Sequence, residues 1–230
     1  MTTLPLIRVP EFIIHDGLQK ALKFIKEDYK AVTTGLTPDE TKAWLYQLIN
    51  GVSFQKYDYW KQAKAVFFSG QGNPRHLEID LMFNRQRDSF PTIHITTPSD
   101  NPGINGLSND EGYQDDIVSN NSSQTNSVFT RRYKGVYDIV ITTDNSNEAI
   151  LISHIIRALL MSLTVHFSLK GLENLSLSSG DLTPYQTLTP NAFTRIVRMN
   201  LEYETSTMSF EKGNILTDAV FNGTAVNNVS

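Results

Sequence analysis

The chain has 230 residues and no cysteine, which excludes disulfide scaffolds, cysteine-based zinc sites and thiol chemistry. Twenty Lys+Arg against 24 Asp+Glu give a net charge of -4, so the chain as a whole has no electrostatic case for holding nucleic acid, though DNA can pass close by without sticking. With 40% hydrophobic residues it can bury a sizeable core, read as a single α+β domain over 1–208 with a long hairpin-loop insertion at 98–130 and a C-terminal arm at 209–230. The opening MTTLPLIRVPEF lacks the charged-then-apolar pattern of a signal peptide, so synthesis in a reducing cytoplasm is expected and the sequons at Asn120, Asn121 and Asn222 read as chance.

Pro10 opens a helix whose Ile14, Leu18, Leu22, Ile25 and Tyr29 share one face, with Lys20, Lys23, Lys26 and Lys30 mostly off it. Thr37-Pro38-Asp39-Glu40 then reads as a capping box that starts a second helix over 38–50, with Ala43, Trp44, Leu45 and Leu48 inward and Gly51 ending it. Residues 54–60 read as a loop or short edge element, and 65–68 as a strand before the turn at 69–74. Gly70 and Gly72 do not make a phosphate loop, because no Lys-Ser/Thr pair or helix follows. The stretch 75–83 alternates cleanly, Leu77, Ile79, Leu81 and Phe83 against His76, Glu78, Asp80 and Met82; 90–97 repeats the pattern, and the polar link 84–89 predicts a hairpin.

Residues 98–126 are polar, with only Ile104, Leu107, Tyr113, Ile117 and Val118 as apolar punctuation, and are expected to be an insertion at a hairpin tip, disordered when free and open to ordering by a partner. A strand over 133–143 follows, with Tyr137, Ile139 and Ile141 alternating with Asp138, Val140 and Thr142. It feeds a long helix. Asp144, Asn145 and Ser146 can cap its first turn near Asn147, Ile152, Ile155, Ile156, Leu159, Leu160 and Leu163 recur at helical spacing, and Gly171 suits its exit. His154, Arg157, Thr164 and Ser168 trace a narrow polar stripe, so most of the circumference is expected to be buried; Arg157 inside the apolar run argues against a membrane span. A short strand at 174–177, a proline-bearing connection at 184–190 and a last alternating strand at 194–205 complete the pattern, with Val197, Met199, Leu201 and Tyr203 inward.

Two constellations carry conceivable chemistry. His76, Glu78, Asp80 and His94 would share a sheet face across the expected hairpin and could hold zinc or manganese, although alternate polar residues on a strand more often mark its solvent side. His154 and Arg157 lie one turn apart and could bind an anion, an interfacial pair being the commoner outcome. No serine sits in a nucleophile elbow and His15 and His166 stand alone, so no catalytic, cofactor or metal residue is assigned.

The run from Tyr137 through Thr143 into Asp144-Asn145-Ser146-Asn147-Glu148-Ala149, then Arg157-Ala158-Leu159-Leu160, Gly171-Leu172-Glu173-Asn174, Gly180-Asp181-Leu182 and Phe193-Thr194-Arg195 leading to Tyr203-Glu204, resembles the tail terminator and neck (head-to-tail connector) ring proteins of tailed bacteriophages. The resemblance covers the last third of the chain well, the first strands loosely and 98–126 not at all. It implies a mixed, mainly antiparallel sheet flanked by two or three helices, in a virion structural protein without catalysis or cofactor. Such subunits form a ring, usually a hexamer, that caps the tail tube, joins it to the neck and passes DNA, with the sheath a further candidate partner and no membrane involved. The expected location is the neck of the virion, after synthesis in the host bacterial cytoplasm. Candidate interface residues on this reading are Asn105, Tyr113, Asp115, Asp116, Arg131, Arg132, His154 and Arg157. The alternatives are a metal-dependent hydrolase using His76, Glu78, Asp80 and His94, and a peptide-binding module using the 98–126 loop.

Overall fold

The computed structural model describes residues 7–34, 37–52, 57–69, 75–81, 90–102, 117–118, 125–126, 128–181 and 192–208. The chain divides into two compact units, one made of Met1–Arg8, Asn101–Tyr133 and Tyr203–Ser230, the other of Val9–Asp100 and Lys134–Glu202.

The larger unit begins with helix α1, Pro10–Thr33, which has proline in its first turn and buries Ile14, Leu18, Leu22 and Ile25 as the spacing predicts. The second helix differs from expectation. Asp39, not Thr37, caps a single 3-10 turn at Glu40–Lys42 by accepting from the Thr41 amide at 3.1 Å; Ala43 is then extended, and helix α2 spans only Trp44–Ile49. That break rephases the helix, so Leu45 and Ile49 are buried while Leu48, expected inside, is exposed. The strand expected at 65–68 is instead the end of helix α3, Tyr59–Phe67. Asp58 caps it at Lys61 N (2.9 Å), and Tyr59, Ala63, Val66 and Phe67 are buried at helical spacing; a four-residue apolar run read alone cannot distinguish the two.

The strands are β1 (Glu78–Leu81), β2 (Thr92–Pro102), β3 (Ile117–Val118), β4 (Thr125–Asn126), β5 (Val128–Thr143), β6 (Leu172–Asp181) and β7 (Phe193–Met208). Five of them form one sheet in the order β1-β2-β5-β7-β6. The hairpin expected between 75–83 and 90–97 is not formed: β1 and β2 are neighbours but parallel, Ile79 opposite Ile93 and Asp80 opposite His94. Cross-strand pairs fix the other side of the sheet. Lys134–Glu202 (3.1 Å) and Asp138–Arg198 (2.7 Å) count in opposite directions along β5 and β7, as do Asn174–Glu202 (2.8 Å) and Asp181–Arg195 (2.7 Å) along β6 and β7, so both pairs are antiparallel. The fold is α+β, with a mixed sheet flanked by helices.

Helix α4 (Ser146–Ser162) and helix α5 (Thr164–Leu169) follow β5 and supply Ile152, Ile155, Ile156, Leu159 and Phe167 to the core with Ile93, Ile95, Tyr137, Ile139, Ile141, Val197 and Met199. Strands β2 and β5 are buried on both faces: His94, Asp138 and Val140, which alternate with the apolar rows, are also inside. Arg198 meets the buried Asp138 carboxylate with both ends of its guanidinium, Nε at 2.7 Å and Nη2 at 2.8 Å. Gly135 is where Tyr137 folds over the strand, since a Cβ there would lie 2.4 Å from Cε2 of that ring.

The smaller unit holds the two-stranded pairing of β3 with β4, Ile117 opposite Asn126 and Val118 opposite Thr125. In the same unit Arg132 pairs with Glu204 at 3.1 Å, Tyr133 stacks on Tyr203 and Arg8 donates to the Glu204 carbonyl. The rest of the 98–126 insertion, the 70–74 turn, the 184–190 connection and the 209–230 arm lie outside the described residues.

Candidate interaction surface

A row of exposed side chains, several of them apolar, runs along α4 and α5. Asn145 is extended and its side chain accepts from Asn147 N at 2.9 Å, which starts α4 one residue earlier than expected. The helix does not run unbroken to Gly171; Leu163 separates α4 from α5. The ladder nevertheless carries through, Leu163 N donating to Leu159 O and Phe167 N to Leu163 O, both at 2.9 Å, so side-chain rows continue from one helix to the next. Gly171, at φ 78°, makes the left-handed exit its type permits.

Along the row Ile150, His154, Arg157, Met161, Val165 and Leu169 the spacing is four, three, four, four and four. This row is exposed, and far more apolar than the narrow polar stripe expected there. Met161 is 62%, Val165 71% and Leu169 81% exposed. At the other end Ile150 and His154, with Leu151, meet Leu48 and Val52 from the end of α2 and Tyr59 from α3 around an apolar groove of about 400 Å³. Arg157 is half-buried and His154 exposed, and among the described residues neither has a hydrogen-bond or ion-pair partner.

Of the sequence-derived interface residues, then, His154 and Arg157 come together on this row. Arg131 is exposed and Arg132 is engaged with Glu204, both in the smaller unit. Asn105, Tyr113, Asp115 and Asp116 lie outside the described residues. Met161, Val165, Leu169, Leu48 and Val52 were not singled out from sequence, although Met161, Val165 and Leu169 stand at i, i+4 and i+8 beside Arg157.

The remaining polar clusters are structural in geometry. Glu148, at the start of α4, is wholly buried; Gln62 donates to one oxygen and Arg75 Nη1 to the other at 3.0 Å, while Arg75 also grips Asp144 at 2.7 and 3.1 Å. Burial pushes the Glu148 carboxyl above its ordinary value against the pull of Gln62 and Arg75. Nearby, burial and then the Glu148 charge push the Tyr57 hydroxyl up to about 12; among the described residues that buried oxygen has no partner. Glu40 accepts from Trp60 Nε1 (2.9 Å), Lys64 Nζ (3.0 Å) and Tyr29 Oη (3.0 Å), tying α1 and α3 to the 3-10 turn, and these donors, Trp60 foremost, hold its carboxyl below the usual range.

Of the candidate metal set, Asp80 stands opposite His94 across β1 and β2, and His76, Glu78 and Asp80 line one groove with Lys23 and Lys26, but the four do not converge on a metal-holding group. His76 precedes β1 and its Nδ1 lies 3.0 Å from the Ser69 carbonyl; His94 is buried, with Nε2 3.4 Å from the Thr92 hydroxyl. Among the described residues no group of three or more His, Asp or Glu side chains could hold a metal ion. His15 approaches the Ile79 carbonyl at 3.3 Å. No described helix is long and apolar enough to cross a membrane.

No family model matches the chain, and no curated protein matches it. The exposed row on α4 and α5 therefore stands on its own chemistry. Exposed apolar side chains, Met161 among them, beside an arginine that has no partner among the described residues make a composition found at protein interfaces, where methionine and arginine are enriched.

Proposed function

We propose that the chain is a virion structural protein of a tailed bacteriophage, a tail terminator or closely related neck ring subunit that caps the tail tube and joins it to the head-proximal connector, with DNA passing through the ring. The observation that carries this reading is the exposed row on α4 and α5. It lies within the segment that resembles those ring proteins, and its large apolar side chains stand in water in an isolated chain. A subunit of a closed ring needs two different complementary surfaces, one on each side. The net charge of -4 suits a lumen through which DNA slides, since a basic lining would hold phosphates.

The test is the solution mass of the purified chain by light scattering, with negative-stain images of the same fraction. A closed ring, with six copies expected, agrees with the proposal. A chain that stays monomeric at high concentration, or an open or two-fold assembly, overturns it.

A further inference from the structure

We infer that the α4–α5 row carries both halves of a head-to-tail contact between copies of this chain. The exposed Met161, Val165 and Leu169 of one copy seat in the apolar groove of about 400 Å³ at the other end of the row on the next copy. This rests on the ring reading and names the contact that closes the ring.

The first argument is shape, because the two ends of the row are unlike. On α5, Val165 is 71% and Leu169 81% exposed, so little of the fold stands beside either side chain. At the start of α4 the surface is concave instead: Ile150, Leu151 and His154 face Leu48, Val52 and Tyr59 across the groove. Both ends belong to the larger compact unit, and the backbone ladder joins them through Leu163. Ile150 and Leu169 are therefore about 28 Å apart at the helical rise of about 1.5 Å per residue. The projecting end of one chain does not reach its own groove, whereas that of a second copy can.

The second argument is area. One copy contributes Met161, Val165 and Leu169 and the next Leu48, Val52 and Ile150, together on the order of 600 Å² of exposed apolar surface. Since interfaces are about 60% apolar, this corresponds to roughly 1,000 Å² in total, the lower bound of a specific interface. A contact of that size is weak alone and is reinforced when it repeats around a closed ring. Two rows packed on each other about a two-fold axis would cover more apolar surface, but Arg157 lies midway along the row and would meet its own copy near the axis. Like charges set against one another oppose that pairing. In the head-to-tail contact Arg157 falls between the two ends, and the unlike surfaces are those a ring requires.

The experiment uses the full chain, which has no cysteine of its own, so introduced thiols report the contact directly. Val52→Cys combined with Leu169→Cys is expected to give, with a short bis-maleimide crosslinker, a ladder of covalent multiples of the chain on a denaturing gel. Each junction then joins the two unlike positions, and neither single variant gives the ladder. In parallel, Val165→Asp with Leu169→Asp is expected to raise the concentration at half-assembly by at least about tenfold with circular dichroism unchanged. With the ring formed, a double-cysteine chain that gives no ladder or stops at two chains overturns this contact and leaves the ring reading standing. So does an aspartate variant that assembles like the unmodified chain. An unmodified chain that stays monomeric overturns both.

Discussion

Replacing Arg75 with Met tests whether the buried carboxylate of Glu148 depends on its cation. Arg75 Nη1 lies 3.0 Å from Glu148 Oε2 and 2.7 Å from Asp144 Oδ1, with 38% of its side chain exposed, against 46% for Asp144 and none for Glu148. The Asp144 pair is a surface contact and contributes at most about 1 kcal/mol. Glu148 is different, because methionine keeps the apolar stem yet leaves a desolvated charge with Gln62 as its remaining described donor. Breaking a fully buried pair costs about 3–5 kcal/mol; water reaching the half-exposed guanidinium reduces this to about 2–3 kcal/mol here. For a chain of this size that corresponds to a fall in Tm of about 5–10 °C. The pH dependence has a definite sign. Burial raises the folded carboxyl above its ordinary value of 4.5, so the penalty for charging Glu148 is absent below that value and grows as pH rises through the folded pKa. The deficit of Arg75→Met is therefore largest where Glu148 is charged, shrinks as pH falls through its raised folded pKa, and is smallest at about pH 4.5 and below. Adding Glu148→Gln removes the stranded charge, and the double variant is expected to be more stable at neutral pH than Arg75→Met alone. Thermal melts by circular dichroism across pH decide the matter. A deficit under about 1 kcal/mol at neutral pH, or one independent of pH, would refute the reasoning.

Gly135→Ala places a methyl 2.4–2.8 Å from the ring of the fully buried Tyr137 and is expected to destabilise by about 1–3 kcal/mol in urea titration. Combining it with Tyr137→Leu should cost less than the sum of the two, since the clash is shared; additive effects would contradict the packing described. Glu40, whose carboxyl is held low by Trp60, Lys64 and Tyr29, contributes stability above the unfolded carboxylate range that is lost as pH falls through its folded pKa. With 43% of that side chain exposed, Glu40→Gln should cost no more than about 1 kcal/mol near neutral pH and less in acid, read through Trp60 fluorescence during unfolding.

How far the sequence discloses the fold depends on how many turns or pleats each pattern spans. Helix α1 is 24 residues long, so its repeat of Ile14, Leu18, Leu22 and Ile25 samples several turns and its buried face follows directly. The alternation of Val197, Met199, Leu201 and Tyr203 does the same for β7. The short elements do not have that redundancy. In α2 a single extended residue, Ala43, shifts the phase and moves Leu48 from the core to the surface; in α3 the capping by Asp58 decides what the run 65–68 cannot. Register and direction are further removed from local pattern. Glu78 to Leu81 and Thr92 to Ile95 alternate identically whether the strands run parallel or antiparallel, so the missing hairpin is a matter of long-range pairing that periodicity does not encode.

The exposed row shows why a pattern can be present and still be read the wrong way. An apolar residue at helical spacing is assigned to the core by default, and α4 already has a full core face in Ile152, Ile155, Ile156 and Leu159. Met161, Val165 and Leu169 belong to a different row, which shares the angular position of His154 and Arg157 and does not lie over the sheet. A helix with apolar residues on both sides is either enclosed by its own chain or incomplete without another. Arg198 has a counter-ion in Asp138 and Arg75 in Glu148, whereas among the described residues Arg157 has none. The same guanidinium that argues against a membrane span from the sequence thus stands, in the structure, on the exposed side of the helix beside Met161 and Val165.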